Sequence, residues 1–225
     1  MTETAIYRTA PIKRMSILER RPGDSRDFFS RHWHQVHGGM VSRMPHLYAY
    51  IQNHVVGDFP HNLPTFPCDG LVEQLWRSTG EMQRGYNSPV VTNLIADEVN
   101  YLGHGSNYAI LASEALREAP EGSKLVLALR HGGEPALADT VANQAAALGA
   151  SSLLRDDVIA TIAKPNFLPV PPHPVDMFLH LHFADSQAAQ KSGQRLVEAI
   201  AGFSFPGKAA FAVWRITTKP IVRPQ

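Results

Sequence analysis

Apolar and polar positions in the first half of the chain follow the period of strands in some segments and that of helices in others. Between residues 25 and 44 the apolar side chains recur at steps of three and four, which predicts an amphipathic helix: Phe29, Trp33, Val36, Met40 and Met44. Asp24 is the expected N-cap, Pro45 closely follows the helix end, and Gly38–Gly39 indicates a kink or a close approach. Strands are predicted over 13–20, 46–57, 69–78 and 108–116, with a second helix, interrupted near Ser88–Pro89, reaching about residue 99 before the last of them.

The same order of elements returns after residues 119–122. Strands are predicted over 124–130, 153–163, 177–183 and 209–217, helices over 135–148 and 185–203, and a Pro-rich loop over 165–174. This order predicts an α+β fold of two tandem ferredoxin-like βαββαβ units, with domains at 1–118 and 119–225. Each unit leaves one face of its sheet bare, so the two should pack into a barrel-like pseudo-dimer with a cavity between the sheets.

Strand alternation divides the second strand into two rows. One row is polar and aromatic, and we expect it to line the cavity: His46, Tyr48, Tyr50, Gln52 and His54. The other row, with Leu47, Ala49, Ile51 and Val55, suits the helix layer. In the third strand Gln74 and Trp76 are expected in the cavity, which leaves Glu73 between apolar neighbours and in need of a partner.

His37 shares the edge of the apolar stripe on the first helix, one turn after Trp33. An imidazole held against a core wall can act as a positioned base, although a core histidine bonded to backbone would show the same pattern. In the second half His180 and His182 lie on one strand row and could line this cavity, a second one, or an interface. The helix over 135–148 carries no histidine, so one active pocket is expected in each tandem pair.

Composition and motifs exclude several other classes of function. The net charge is +1, so electrostatic capture of nucleic acid or of an anionic membrane is not expected, and no apolar run is long enough to span a bilayer. The N-terminus lacks a signal-peptide pattern and Cys68 is the single cysteine, which favours a cytoplasmic protein without disulfides. His32, His34 and His37 lack the i, i+4 spacing of a helical metal pair, so no metal site is predicted.

Three segments together resemble the EthD-domain family, of the dimeric α+β barrel superfamily. They are Phe28-x4-Trp33-x3-His37-Gly38, Met44-Pro45-x-Leu47-x2-Tyr50-x-Gln52-Asn53-His54 and Asp69-Gly70-x2-Glu73-x2-Trp76. The resemblance covers residues 10 to 110, and the second half shares only the order of elements. It implies catalysis without metal or organic cofactor, a helix histidine at His37 and a pocket tyrosine at Tyr50. The reactive cysteine of some relatives would fall on Gln74, so a thiol mechanism is not implied here.

The sequence and the resemblance together predict a cofactor-independent enzyme that acts on a small hydrophobic, oxygenated molecule, by elimination, isomerisation or cyclisation next to a carbonyl. His37 would transfer the proton and Tyr50 would stabilise the enolate oxygen, with help from His54 or Gln74. The predicted substrate-binding residues are Trp33, Tyr48, Gln52, Gln74, Trp76, His180 and His182. A homodimer is possible. A haem-binding oxidative protein and a non-catalytic binding module remain as alternatives.

Overall fold

Eight antiparallel strands form one closed barrel in the computed structural model, which describes residues 11–111, 123–162, 175–204 and 207–222. The strands are β1 (Ile12–Arg20), β2 (Ala49–Asp58), β3 (Gly70–Trp76), β4 (Leu102–Leu111), β5 (Ser123–Arg130), β6 (Ser152–Ile162), β7 (Met177–Phe183) and β8 (Ala210–Val222). Their order around the barrel is β1-β3-β2-β8-β5-β7-β6-β4. Closure through hydrogen bonds leaves no free sheet edge among the described strands.

The helices lie outside the barrel and follow the predicted tandem order. Helix α1 has three consecutive segments, Arg26–His32, a π-helical turn Trp33–His37, and Gly38–Val41; α2 spans Thr79–Tyr86, α3 Val90–Glu98, α4 Pro135–Ala146 and α5 Ser186–Ala201. Strand order within each half is the ferredoxin-like one, and the halves join where β2 pairs with β8 and β4 with β6. The predicted pair of βαββαβ units is therefore confirmed. The domain boundary at residues 119–122 and the Pro-rich loop at 165–174 lie outside the described residues.

Among the element boundaries that differ from the sequence prediction, two have a clear physical cause. The α1 N-cap is Ser25 rather than Asp24, because the Ser25 hydroxyl accepts the backbone N–H of Phe28. Strand β4 begins at Leu102 rather than near residue 108. Gly103 makes this early start possible, since a Cβ there would lie 2.8 Å from the carbonyl oxygen of Arg20 on the neighbouring strand. No helix within the described residues is both long and apolar enough to cross a bilayer.

Side chains that point into the barrel fill it and form two zones. The apolar zone is one buried cluster that includes Met15, Val55, Leu71, Phe178 and Trp214. The polar zone is a buried network of charges between the two halves. Glu73 accepts hydrogen bonds from Lys124 at 2.6 Å and from the Asn53 amide at 2.8 Å. Lys13 lies 3.4 Å from Glu73 and 2.5 Å from Asp156.

This network has approximate two-fold symmetry. Strand register makes Lys13 equivalent to Lys124, and Glu73 equivalent to His180. His180 Nε2 lies 2.9 Å from Asp156, although neither of its ring nitrogens has hydrogen-bonding alignment to a described residue. Burial alone would raise the pKa of Glu73, but the charges of Lys124, His180 and Lys13 hold that pKa well below its usual range. The buried carboxylate is therefore ionised and paired.

The two faces of β2 are the reverse of the predicted assignment. Tyr50 packs with residues of α1 on the helix side, while Val55 belongs to the cluster inside the barrel. Gln52 also points to the helices, where its amide donates to the Trp33 carbonyl at 2.8 Å. The polar row faces α1 because α1 supplies its hydrogen-bond partners, and the barrel interior already has its own charged set.

We expect removal of the Glu73 charge to destabilise the fold. Glu73→Gln leaves two buried lysines with one carboxylate, so the free energy of unfolding should fall by about 3–5 kcal/mol in a denaturant titration. Glu198→Gln, on the exposed surface, is the control. The double variant Glu73→Met with Lys124→Met should recover part of the loss, because it removes both partners. A Glu73→Gln protein as stable as the control would contradict this account.

Stability should also decrease as the pH falls below about 6.5. Burial and the charges of Lys124 and His180 lower the pKa of His182 to about 4. The unfolded chain, with a histidine pKa near 6.5, then binds more protons than the folded chain, so stability is lost as the pH falls from about 6.5 through 4. Urea midpoints measured between pH 7.5 and 4.5 should fall less for His182→Leu than for wild type. A His46→Asn variant, at an exposed position, should behave as wild type.

Candidate active site

A cavity of about 410 Å³ lies between the helices and the outer face of the first-half sheet. Its floor comes from β1, β2 and β3, and its walls come from α1, α2 and α3. Most of its lining is apolar, and its polar or aromatic members are Arg14, Ser16, Trp33, His37, Tyr50, Gln74, Gln83, Tyr86, Asn87, Glu98 and Tyr101. This mixture of apolar walls and a few polar groups is typical of a small-molecule site.

The π-helical turn of α1 places His37 in this cavity. Such turns are rare in proteins and occur frequently at functional sites. The ring of His37 is buried and lies 5.2 Å from the ring centroid of Tyr101. Its Nδ1 is 3.0 Å from a carboxylate oxygen of Asp97, while its Nε2 makes no hydrogen bond to the described residues.

Asp97, near the end of α3, holds two histidines of α1. One carboxylate oxygen binds His37 Nδ1, and the other lies 2.8 Å from His32 Nε2. Burial alone would raise the pKa of Asp97, but hydrogen bonds from His37, His32 and Asn100 lower it to about 2. Asp97 is therefore an anion that accepts hydrogen bonds at both oxygens.

Tyr50 presents its hydroxyl on the floor of the cavity. The hydroxyl oxygen accepts the indole N–H of Trp33 at 3.0 Å and the amide of Gln52 at 2.9 Å. Burial raises the pKa of Tyr50 far above its usual value, so the hydroxyl keeps its proton. With two hydrogen bonds already accepted, the remaining capacity of this group is to donate its own proton.

Arg14, Gln74 and Tyr50 form a row across three adjacent strands, with Gln74 in the middle. Backbone register pairs Gln74 with Arg14 on one side and with Tyr50 on the other. Its amide oxygen accepts from the Arg14 guanidinium at 3.1 Å and from the Tyr86 hydroxyl. The guanidinium carbon of Arg14 lies 4.3 Å above the centre of the Tyr86 ring. The floor is therefore a polar row of three side chains under walls that are mostly apolar.

Four of the predicted site residues line this cavity: Trp33, His37, Tyr50 and Gln74. Two more contact residues that line the cavity. Gln52 donates a hydrogen bond to Tyr50, and the ring of Trp76 lies 5.9 Å from the ring of Tyr86. The site lies outside the barrel, on the helix side, instead of in the expected space between the sheets.

The other four predicted residues lie elsewhere. His54 is on the far side of the Trp33 ring, where its Nδ1 lies 2.8 Å from the Ser30 hydroxyl, and burial lowers its pKa to about 3. Tyr48 holds the Arg77 guanidinium 4.9 Å from its ring centre. His180 and His182 are inside the barrel with the charge network, because β7 turns that row inward. The sequence prediction grouped these residues correctly by strand face, but it placed the cavity on the wrong side of the sheet.

The sequence prediction missed Asp97, Tyr101 and Arg14. Asp97 is three residues after Leu94 in a helix, so a carboxylate on an apolar face was a usable signal. Tyr101 lines the cavity beside His37, and burial raises its pKa well above the usual value. Arg14 lies on the strand before α1, and no local pattern points to it. In the described part of the chain, no three His, Cys, Asp or Glu side chains are arranged to hold a metal ion.

Solved structures share this fold at low sequence identity. An anthrone oxidase-like protein aligns with a TM-score of 0.58 and 6% identity over 95% of this chain and 94% of that chain. A proposed monooxygenase from Fusobacterium nucleatum gives 0.54 and 8%, over 96% of each chain. A proposed chlorite dismutase gives 0.51 and 10%, over 92% of this chain and 95% of that chain.

No curated protein matches the sequence. Residues 21–105 do match the family model of the EthD domain. That segment contains α1, α2, α3 and the strands β2 and β3, and hence both His37 and Tyr50. Residues 21–105 in the first half of this chain therefore match the EthD family, and they stand in a closed barrel of two tandem ferredoxin-like units.

Proposed function

We propose that this protein is a cofactor-independent enzyme that transfers a proton next to a carbonyl group, in an elimination, isomerisation or cyclisation. The observation that carries the proposal is that one apolar cavity contains both a carboxylate-held histidine and a tyrosine whose hydroxyl can only donate. These two groups are the base and the oxyanion donor that enolate chemistry requires.

The His37–Asp97 pair supplies the base. Because both oxygens of an ionised carboxylate accept, the neutral His37 ring must carry its proton on Nδ1 and leave a lone pair on Nε2. Nε2 would take the proton from the carbon next to the carbonyl and return it to the product or the leaving group. Asp97 acts through His37 and is a positioning residue.

Tyr50 supplies the electrophilic group. As the proton leaves, negative charge develops on the carbonyl oxygen, and the Tyr50 O–H would donate a hydrogen bond to that oxygen. The donors Trp33 and Gln52 fix the position of the phenol, so little reorganisation is needed when charge develops.

Cavity size limits the substrate. An engineered cavity of about 150 Å³ binds benzene, so a cavity of about 410 Å³ suits a molecule of roughly two to three rings. The apolar walls favour an aromatic, lactone or polyketide-like compound with a few oxygen atoms.

A haem-dependent oxidation, the alternative class, fits these residues less well. A carboxylate-held histidine is also the usual form of a metal-ligating imidazole. A porphyrin with its propionates is nevertheless larger than a two- to three-ring molecule, so α2 and α3 would have to move away from the sheet. With the helices where they are, the cavity therefore does not accommodate haem.

Replacing His37 or Tyr50 should abolish most of the proton transfer. Two- and three-ring ketones and lactones would be incubated in D2O with the enzyme, and deuterium incorporation followed by mass spectrometry. His37→Asn should slow incorporation by roughly 10²- to 10⁴-fold, and Tyr50→Phe by about 10²- to 10³-fold. His46→Asn, at an exposed position outside the cavity, is the control. Equal incorporation by wild type and His37→Asn would contradict the proposed role of His37.

Asp97→Asn should disturb the tautomer of His37. The side chain of Asn offers one acceptor oxygen and one donor nitrogen, so it cannot accept from both His32 and His37. In ¹⁵N-resolved spectra of the imidazoles, wild type should show His37 with a protonated Nδ1, and the variant should show a mixture or the other tautomer. Asp27→Asn, at an exposed helix position, should leave the spectrum unchanged. An unaltered His37 signal in Asp97→Asn would remove Asp97 from this role.

A further inference from the structure

Arg14 is a buried cation at one end of the polar row that forms the cavity floor. Its side chain lines the cavity and is 9% exposed. One nitrogen of the guanidinium donates to Gln74, and one face of it covers the Tyr86 ring. A guanidinium has five N–H donors, so the hydrogen bond to Gln74 leaves capacity for a ligand in the cavity.

No carboxylate of the described residues lies within ion-pair distance of the Arg14 guanidinium. Lys13, the preceding residue, shows the contrast, since inside the barrel it pairs with both Asp156 and Glu73. Glu98 lines the same cavity, and its charge raises the pKa of Arg14. Burial lowers the pKa of Arg14 to about 10, so the group stays charged at neutral pH and its desolvation is only partly offset.

The second half of the chain shows that the fold does not require a cation here. Strand register gives the row Arg14–Gln74–Tyr50 an equivalent row in the second half, Leu125–Leu181–Leu153. Leu125 and Leu181 are fully buried there in an apolar core. Leucine at the position of Arg14 is therefore compatible with this architecture, and the polar row belongs to the cavity.

We infer that Arg14 binds a carboxylate of the substrate, which makes the substrate an aromatic or polyketide-like carboxylic acid. The inference rests on the proposed function in one respect, namely that this cavity binds the substrate. A planar guanidinium matches a carboxylate bidentately and prefers it to a neutral carbonyl.

The spacing of the row orients the substrate. Arg14 and Tyr50 lie two strands apart, and neighbouring strands are about 4.8 Å apart, so their backbones are about 10 Å apart across the floor. A molecule of two or three rings spans that distance. Its carboxylate would lie at Arg14, and its reacting carbonyl at the Tyr50 hydroxyl, with Gln74 between them.

Paired ligands that differ only in charge test the inference. Isothermal titration calorimetry would compare one- to three-ring arylacetates, such as 2-naphthylacetate, with the matching arylacetamides. Wild type should bind the best carboxylate roughly 10- to 100-fold more tightly than its amide. Arg14→Leu should lose the preference for the carboxylate, with little change in its affinity for the amide. Arg14→Lys should retain part of the preference. Arg77→Leu, outside the cavity, should retain all of the preference.

Two further measurements separate the inference from a structural role and from the proposed chemistry. Arg14→Leu should unfold at the same or a higher temperature than wild type, because it removes a partly compensated buried charge. His37→Asn should keep the carboxylate preference, so loss of catalysis and loss of anion binding are distinguishable. A wild-type protein that prefers no carboxylate over its amide, or an Arg14→Leu protein that keeps the preference, would overturn the inference.

Discussion

The buried pairing of Lys13, Glu73, Lys124 and Asp156 inside the barrel is the constraint on which the rest of the structure depends. These charges can be inside only if they meet each other, and they meet only when both halves of the chain close the barrel. Successive strand residues face opposite sides, so with Lys13 and Glu73 inside, Arg14 and Gln74 must face the helices. A register slip of one residue would both bury unpaired charges and empty the cavity floor of its polar row.

The two halves use one architecture for different purposes. In the second half, leucines fill the space between sheet and helices, and α5 packs so closely that a Cβ at Gly193 would lie 2.2 Å from the Phe59 ring. In the first half, α1 carries a π-helical turn, and the residues beneath it are polar. The second half is thus packed with apolar side chains where the first half has its cavity, which suits a supporting role for the site that we propose.

Within the cavity, the three polar groups His37, Tyr50 and Gln74 are each positioned by other side chains. Asp97 orients His37, and Trp33 with Gln52 orients Tyr50. Gln74 is held between Arg14 and Tyr86. Supporting contacts of this kind keep a site preorganised while the walls remain apolar. Arg14 is the member whose charge the protein itself leaves only partly compensated, which is why it points to an anionic ligand.

The sequence by itself determined the order of elements, the tandem repeat and the resemblance of the first half to the EthD family, and it singled out His37 and Tyr50, which line one cavity. Hydrophobic periodicity and strand alternation are local, so they can be read without knowing what packs where. Tertiary structure decided which side of the sheet holds the cavity, because either face of an alternating strand can be the inner one. It also brought Asp97 to His37 from 60 residues away and set Arg14 beside Gln74. Partners so distant in sequence leave no mark on the local pattern, since only the closed fold brings them together.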